Sequence, residues 1–443
     1  MKPISIDLLL HCQWVLPIVP HNQIHQNHSV AIDGGLILEV LPTADAKQKY
    51  IAAQTEELNS QIVMPGLINT HCHTSSRLFR GHENNLQPAH WLATNNAKPD
   101  PIFSDPNFIS DSAKLAIAEM IKTGTTCFAE IHSPGELFID IVRHTGIRCQ
   151  AGFTLQEKPS IFGSDANDYL HKGLKLRDNY SSHPLIKVAC SLSSISKIKD
   201  KTLERLAAFA NELDLPIQIQ CNEALEAIED SLKETGHRPL ERLNNLGLLL
   251  PETQLTQINH LNSEDRSLLE KTKNNVVMHP EKNHNLLDKN DLLETLKQAN
   301  INVSLGTIDA SDNTGLNLMA VAKAAAIATH ISMPHTSQQA SAHEALRMAT
   351  INGAKTLGWE SQIGSIEAQK SADLIAIEID SIHHQPLYNP ASQLVYSSKS
   401  SPVTHSWVAG QPLLKASNLS TLDEQKLIQS AKDWGKKLIN QQQ

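Results

Sequence analysis

The chain has 443 residues, with 38 basic and 47 acidic side chains and a formal net charge of −9 at pH 7. This length is sufficient for one large domain and one smaller domain. The acidic excess is modest and spread along the chain, which argues against a protein that binds nucleic acid or an anionic membrane. No uninterrupted apolar run reaches about 18 residues, so we predict no membrane-spanning helix.

The six cysteines are scattered, and most of them lie in apolar runs rather than in paired loops. This distribution is typical of a reduced protein, and we predict a cytoplasmic location. The apolar opening, residues 1–20, is interrupted by polar residues and prolines and is not followed by a small-residue cleavage site. We therefore interpret it as a strand and not as a signal peptide.

Both ends of the chain have the pattern of short strands. Residues 1–62 contain short apolar segments separated by Asp-Gly-Gly and Pro turn signals, which predicts a small antiparallel sheet. The same pattern returns at residues 372–380 and 404–414. We predict that residues 1–62 and 361–443 form one composite β-sandwich domain, with the amphipathic tail as a terminal helix on it.

Residues 63–360 form the predicted central domain, in which strand-like and helix-like segments alternate. The strand-like apolar runs begin at residues 62, 125, 147, 185, 216, 256, 274 and 301. Most of them are separated by stretches with the three- and four-residue apolar spacing of helices. Eight strands with long connections predict an α/β fold, a (β/α)8 TIM barrel, whose chemistry lies at the C-terminal ends of the strands.

The segment MPGLINTHCHTSSRLFRG, residues 64–81, has the clearest functional pattern. Its apolar run ends in His71, Cys72 and His73. Because side chains alternate along a strand, both histidines are predicted to lie on one face and Cys72 on the other. Two imidazoles on one face at a strand end are half of a metal site, and the other ligands must come from other strand ends.

Several long segments resemble the amidohydrolase superfamily, specifically the 5′-methylthioadenosine/S-adenosylhomocysteine deaminases and the related triazine (TRZ/ATZ-type) hydrolases. They are residues 64–81, 115–130, 234–251, 302–307 and 351–377, so the resemblance extends over nearly the whole chain. It implies the barrel and the composite sandwich, one catalytic zinc or iron ion, a purine-nucleoside-like or heterocyclic amine substrate, and a homodimer.

The resemblance also implies which residue types the reaction needs. Two histidines after strand one, a histidine after strand five and an aspartate after strand eight hold the metal, which lowers the pKa of bound water towards about 7. The aspartate takes the water's proton, a glutamate near the strand-five histidine acts on the ring nitrogen, and a strand-six histidine holds the attacking oxygen.

Matched residue by residue, this chain keeps His71 and His73 as metal ligands and Glu223 as the glutamate. Asp309 stands where the family has a glycine. Five other family positions are substituted, and they are Ser191, Gln220, Gln257, Met278 and Ile308 after strands four, five, six, seven and eight.

These substitutions lead to two hypotheses. Glutamine offers only a neutral amide and isoleucine has no lone pair, so His71 and His73 alone fall short of the three protein ligands of an open catalytic zinc site. The first hypothesis is a paralogue that has lost or weakened hydrolysis and retains a binding surface. The alternative is an active hydrolase with a rearranged site, which would use the catalytic candidates Glu223 and Asp309 and the replacement ligands His132, Cys221 and His279. Such a shifted site requires a local bulge or a loop change, because one step along a strand turns a side chain to the other face.

Overall fold

A computed structural model describes residues 2–81, 105–131, 135–160, 162–193, 195–222, 224–281, 292–309, 315–332, 337–397 and 402–441. The strands are β1 (Ile4–Val15), β2 (His25–Asp33), β3 (Leu36–Pro42), β4 (Tyr50–Pro65), β5 (Leu67–His73), β6 (Thr125–Glu130), β7 (Arg148–Thr154), β8 (Ile186–Leu192), β9 (Ile217–Gln220), β10 (Thr253–Thr256), β11 (Asn275–Met278), β12 (Val303–Leu305), β13 (Ile308–Asp309), β14 (Leu374–Glu378), β15 (Val403–Val408), β16 (Gln411–Lys415) and β17 (Asn418–Leu419).

The helices are α1 (Thr43–Lys49), α2 (Pro106–Lys122), α3 (Glu136–Thr145), α4 (Ala166–Tyr180), α5 (Asp200–Leu213), α6 (Leu225–Thr235), α7 (Pro239–Asn245), α8 (Ser263–Thr272), α9 (Leu292–Gln298), α10 (Leu318–Ser332), α11 (Gln338–Met348), α12 (Ile351–Thr356), α13 (Pro390–Ser392) and α14 (Glu424–Gln441). Two 3-10 helices span Thr74–Phe79 and Ile195–Lys197, and a π-helical turn spans Gln393–Ser397.

The predicted barrel and the separate terminal β domain are both present. Strands β5 to β12 follow one another in parallel around the barrel, and the two-residue strand β13 pairs with β5. The chain ends contribute a second sheet in the order β17-β16-β15-β14-β4-β1-β2-β3. Its N-terminal part is not wholly antiparallel as predicted, because α1 crosses over and brings β4 parallel to β1.

The eighth barrel strand is divided into two segments, β12 and β13. The pairing of β13 with β5 closes the barrel. Asn69 bridges the gap, since its Oδ1 accepts a hydrogen bond from the Thr307 backbone N–H (3.1 Å) and its Nδ2 donates to Thr307 Oγ1 (2.9 Å). The same Thr307 N–H also lies 3.0 Å from the carbonyl oxygen of His71. The residues after strand eight are thereby held next to the residues after strand one.

Two strands differ from their predicted positions. The apolar run that begins at residue 62 is divided at Gly66, because β4 ends at Pro65 in the terminal sheet and β5 begins at Leu67 in the barrel. A Cβ at Gly66 would lie 2.0 Å from Thr126 Oγ1, so only glycine fits at this crossing. The sixth barrel strand ends at Thr256, where the prediction began it. Gln257 therefore follows the strand and does not lie within it.

The C-terminal helix α14 packs against the barrel, not on the terminal sheet as predicted. Trp434 contacts Phe108 of α2 edge to face, with ring centroids 5.2 Å apart. The apolar face of α14 is buried at this contact. Its residues Trp434 and Leu438 form a small core there with Phe79 and Phe108.

All six cysteines are free and buried. In the part of the chain that the structure describes, no helix combines the length and apolar character needed to cross a bilayer.

Candidate functional site

His71 and His73 lie at the C-terminal end of β5 on the same face, as the strand alternation predicts. Their Nε2 atoms are 3.3 Å apart. His71 is 1% exposed and His73 is half-buried, whereas Cys72 between them is fully buried in the barrel core. Two nitrogens bound at about 2.0 Å to one tetrahedral metal are about 3.3 Å apart, so this pair has the bite of a bidentate metal ligand. The same separation also fits a hydrogen bond from one ring to the other.

His279, one of the replacement-ligand candidates, has both ring nitrogens in hydrogen bonds. Its Nδ1 lies 2.8 Å from the Gly306 carbonyl oxygen and its Nε2 lies 2.7 Å from Thr256 Oγ1. Because a carbonyl oxygen only accepts, Nδ1 carries the proton and Nε2 accepts from the threonine hydroxyl. The ring lies edge-on to His71, with centroids 5.0 Å apart. A metal at His279 would have to displace one of these buried bonds.

Cys221, a second candidate ligand, is 2% exposed and lies just beyond β9. Its Sγ is 3.4 Å from Asn222 Oδ1, and burial raises the pKa of this thiol. A metal binds the thiolate, and burial disfavours that charged form.

Ile308 lies at the closing seam of the barrel. In the pairing of β13 with β5, Ile308 is opposite Cys72 and Asp309 is opposite His73. Ile308 is 9% exposed and has a φ of 57°. A β-branched residue in the left-handed region is a genuine conformational outlier, and its side chain brings no donor atom to the site.

Three of the sequence-predicted residues lie partly or wholly outside the described part of the chain. They are His132, Glu223 and the side chain of Asp309.

The substituted positions after strands four, five, six and seven have different surroundings. Ser191 is fully buried, and its hydroxyl donates to Gln218 Oε1 at 2.6 Å inside the barrel. Gln220 and Gln257 are half-buried at the ends of their strands. Oε1 of Gln257 is buried and has no hydrogen-bond partner among the described residues. Met278 is 3% exposed and belongs to the apolar core.

The backbone at three strand ends adopts the left-handed conformation, which the sequence did not reveal. The residues are Asn222, Gln257 and Ile308, with φ values of 57°, 58° and 57°. Asparagine is common in this region, but glutamine and isoleucine give no such signal. Residues held in sparsely populated conformations cluster at functional sites. These three residues therefore indicate a functional site at this end of the barrel.

Sequence reasoning also missed a buried acid next to the histidine pair. Glu130, at the end of β6, is fully buried and accepts hydrogen bonds from the Thr74 backbone N–H (2.8 Å) and hydroxyl (2.6 Å). Its position at the end of a predicted barrel strand was the available signal. The contact fixes the chain directly after His73.

The donor set only partly fits the divalent metal that the resemblance implies. His71 and His73 supply two imidazoles with a suitable bite, but Ile308 supplies nothing and Gln220 supplies a neutral amide. Among the described residues, no group of three or more His, Cys, Asp and Glu side chains is arranged to hold a metal ion.

Comparison with known proteins agrees with this architecture. Residues 62–413 match the amidohydrolase family. The sequence is 37% identical to a 5-methylthioadenosine/S-adenosylhomocysteine deaminase from Teredinibacter turnerae, over 98% of each chain. The chain belongs to the amidohydrolase family. The family resemblance predicted from the sequence motifs is therefore confirmed.

Two solved structures have the same fold. An adenosine deaminase from Xanthomonas campestris with bound zinc has a TM-score of 0.91 and 30% identity, covering 99% of this chain and all of that one. The atrazine chlorohydrolase TrzN from Arthrobacter aurescens, complexed with zinc, has a TM-score of 0.86 at 20% identity and covers 96% of this chain and 99% of that one. The second similarity is one of fold alone.

Proposed function

We propose that the mouth of this amidohydrolase-family barrel binds a small heterocyclic amine of the adenosine type without hydrolysing it. The proposal rests on Ile308, which stands where the resemblance places the metal-binding aspartate. Its side chain can neither bind a metal nor accept the proton of a water molecule. Asp309 is the next residue along β13 and is paired with His73. Because side chains alternate between the two faces of a strand, Asp309 does not take the position of Ile308.

The glutamines support the same conclusion. Gln220 and Gln257 stand at the family's histidine positions, and both are half-buried at the ends of adjacent strands, β9 and β10. A carboxamide is a weak ligand for zinc but has both a donor and an acceptor group. Such groups suit the ring nitrogens and the exocyclic amine of an aminopurine.

A second candidate function is an active hydrolase with a rearranged metal site. The 3.3 Å separation of the His71 and His73 nitrogens favours it, because a metal could still be held there with further ligands. Cys221 and His279 are less suitable partners, since the thiol is buried and protonated and both imidazole nitrogens are hydrogen-bonded. Glu223, Asp309 and His132 would then have to complete the site.

Elemental analysis and ligand binding separate the two functions. Protein from zinc- and iron-supplemented cells, purified without chelator, is expected to contain little of either metal. Calorimetry should detect binding of 5′-methylthioadenosine, while an ammonia assay detects no turnover. Near one metal per chain, lost on His71→Ala and His73→Ala, together with ammonia release, would overturn the proposal and favour the second function. Absence of binding by this nucleoside and by a panel of aminopurines and aminotriazines would overturn the binding role.

Restoring the family residues provides a matched test. The triple variant Gln220→His, Gln257→His and Ile308→Asp is expected to gain metal. The double variant that retains Ile308 is expected to bind it more weakly, because it lacks the carboxylate. A folded triple variant that remains free of metal would show that the site has lost more than these three side chains.

The resemblance further supports a homodimer, and the distribution of the cysteines supports a cytoplasmic location. The six free, buried cysteines are compatible with a reducing compartment. Light scattering on the purified protein tests the dimer, and fractionation of the native cells tests the location.

A further inference from the structure

The turn that directly follows the histidine pair is held by side chains of helix α2, which packs on the outside of the barrel strands. This turn, Thr74–Phe79, is a 3-10 helix and is called the mouth turn below. Ser112 of α2 binds both of its ends, since its hydroxyl donates to the Thr74 carbonyl oxygen (2.9 Å) and accepts from the Leu78 N–H (3.3 Å). Arg77 is buried and forms an ion pair with Glu119 of α2. Residues of α2 therefore hold the turn together with Glu130 of β6, which binds Thr74.

The apolar side chains of the mouth turn depend on the C-terminal helix. Phe79 is 5% exposed, and it packs on Phe108 with ring centroids 5.0 Å apart. Trp434 and Leu438 of α14 cover the other side of Phe108, and Leu78 packs against the group. This cluster is separate from the main barrel core. Removing α14 would expose both phenylalanines.

Hydrogen bonds fix the orientation of α14 at this cluster. One carboxylate oxygen of Asp111, on α2, accepts from Ser430 Oγ (2.6 Å) and from Trp434 Nε1 (2.9 Å). Lys122 at the end of α2 forms an ion pair with Glu424 at 2.7 Å. The indole N–H is thus held by Asp111 while the ring packs perpendicular to Phe108.

We propose that Trp434 is a positioning residue for the barrel mouth. It is 360 residues from Thr74 in the sequence, yet it belongs to the same buried apolar cluster as Phe79. Docking of α14 and ordering of the mouth turn are therefore coupled, and the Ser76 hydroxyl of the turn donates to the His73 carbonyl oxygen (3.1 Å). By linkage, a ligand that requires the ordered turn would strengthen the docking of α14 to the same degree. This inference goes beyond the proposed function and holds whether or not the protein hydrolyses its ligand.

The accessibility of His73 tests the coupling without any ligand. Carbethoxylation of His73 by diethyl pyrocarbonate is followed by peptide mass spectrometry, with the exposed His171 of α4 as internal reference. Trp434→Ala should raise the His73 rate about tenfold, the change that corresponds to a coupling of about 1.4 kcal/mol. Trp434→Phe keeps an aromatic ring on Phe108 and should remain near the wild-type rate. Ile439→Ala, on an exposed position of the same helix (57% exposed), should have no effect.

Hydrogen exchange on the same variants shows whether α14 has been released. Faster exchange over residues 424–441 in Trp434→Ala with an unchanged His73 rate would overturn the proposal. An equal rise at His171 would also overturn it, because it would show general loosening. If Trp434→Ala does not fold, Asp111→Asn serves instead and should raise the His73 rate in the same direction, and an unchanged rate in that variant would contradict the coupling.

Discussion

Ile308 and Cys72 are paired across the closing seam of the barrel, so the apolar residue of strand eight lies opposite the residue between the two histidines. The seam therefore places Ile308, whose side chain has no metal-binding group, beside the residues of the histidine pair. The backbone at Ile308 is nevertheless the unusual left-handed conformation, with a φ of 57°. At this position the backbone therefore adopts the left-handed conformation although the side chain is apolar and β-branched.

Ile308→Asn is expected to be tolerated far better than the same change at an ordinary buried position. Asparagine adopts the left-handed region readily, and the relief of roughly 1–2 kcal/mol offsets much of the lost apolar burial. Ile219→Asn, at a fully buried position on β9, has no such compensation and should cost more than about 3 kcal/mol. Urea unfolding of both variants measures the difference. Equal losses would mean that the backbone at Ile308 is not strained.

Gly306→Ala is expected to disturb the histidines directly. A Cβ at this position would lie 2.8 Å from His279 Cε1 and 2.8 Å from His71 Cβ, so one ring must move. Overpacking of this kind costs about 1–3 kcal/mol. Urea unfolding measures the loss, and the chemical shifts of ¹⁵N-labelled histidines report which ring has moved. Gly435→Ala in α14 meets nothing within 4 Å and should instead stabilise by about 0.5–1 kcal/mol. An unchanged His71 and His279 environment in Gly306→Ala would contradict the packing described here.

Asp373→Asn is expected to destabilise the contact between the barrel and the terminal sheet. Arg148 at the start of β7 binds Asp373 through Nε (2.8 Å) and Nη2 (3.1 Å), and both side chains are 2% exposed. Removing one partner leaves a buried charge, which costs about 3–5 kcal/mol. Arg143→Met breaks the exposed pair with Asp140 and should stay within about 1 kcal/mol of wild type. Thermal and urea unfolding test both variants, and similar small losses would argue against a buried ion pair.

His343→Gln is expected to flatten the dependence of stability on pH. Burial, with smaller contributions from His21 and Arg347, lowers the pKa of His343 to about 4. Its Nε2 accepts from the Asn22 N–H (3.0 Å), whereas its buried Nδ1 has no partner within the described part of the chain. In the unfolded chain His343 binds a proton below about pH 6.5, and in the native chain it does so only near pH 4. The free energy of unfolding therefore falls as the pH falls across this window.

The size of this effect is up to roughly 3 kcal/mol at pH 4, and the group contributes no slope above about pH 7. Urea unfolding between pH 4 and 7 measures it. The control His171→Gln removes an exposed histidine and should keep the wild-type slope. Parallel curves for wild type and His343→Gln would show that His343 is protonated equally in both states.

The sequence alone determined the barrel, the terminal sheet domain and the placement of the histidine pair. Each of these depends on a local period or on a long matching segment. The alternation of His71, Cys72 and His73 is a property of any strand, so it required no knowledge of the partner strands. The seventh and eighth strands were located from the apolar runs that begin at residues 274 and 301.

Only the tertiary structure decided what each of these groups contacts. His279 is engaged by Thr256 and Gly306, residues from two other parts of the barrel, so its sequence neighbours could not reveal that both nitrogens are occupied. The left-handed backbone at Gln257 and Ile308 follows from how the strands end and close, which overrides the preferences of these residue types. The position of α14 depends on Phe79 and Phe108, because an amphipathic pattern identifies a face to be buried but not the surface that buries it.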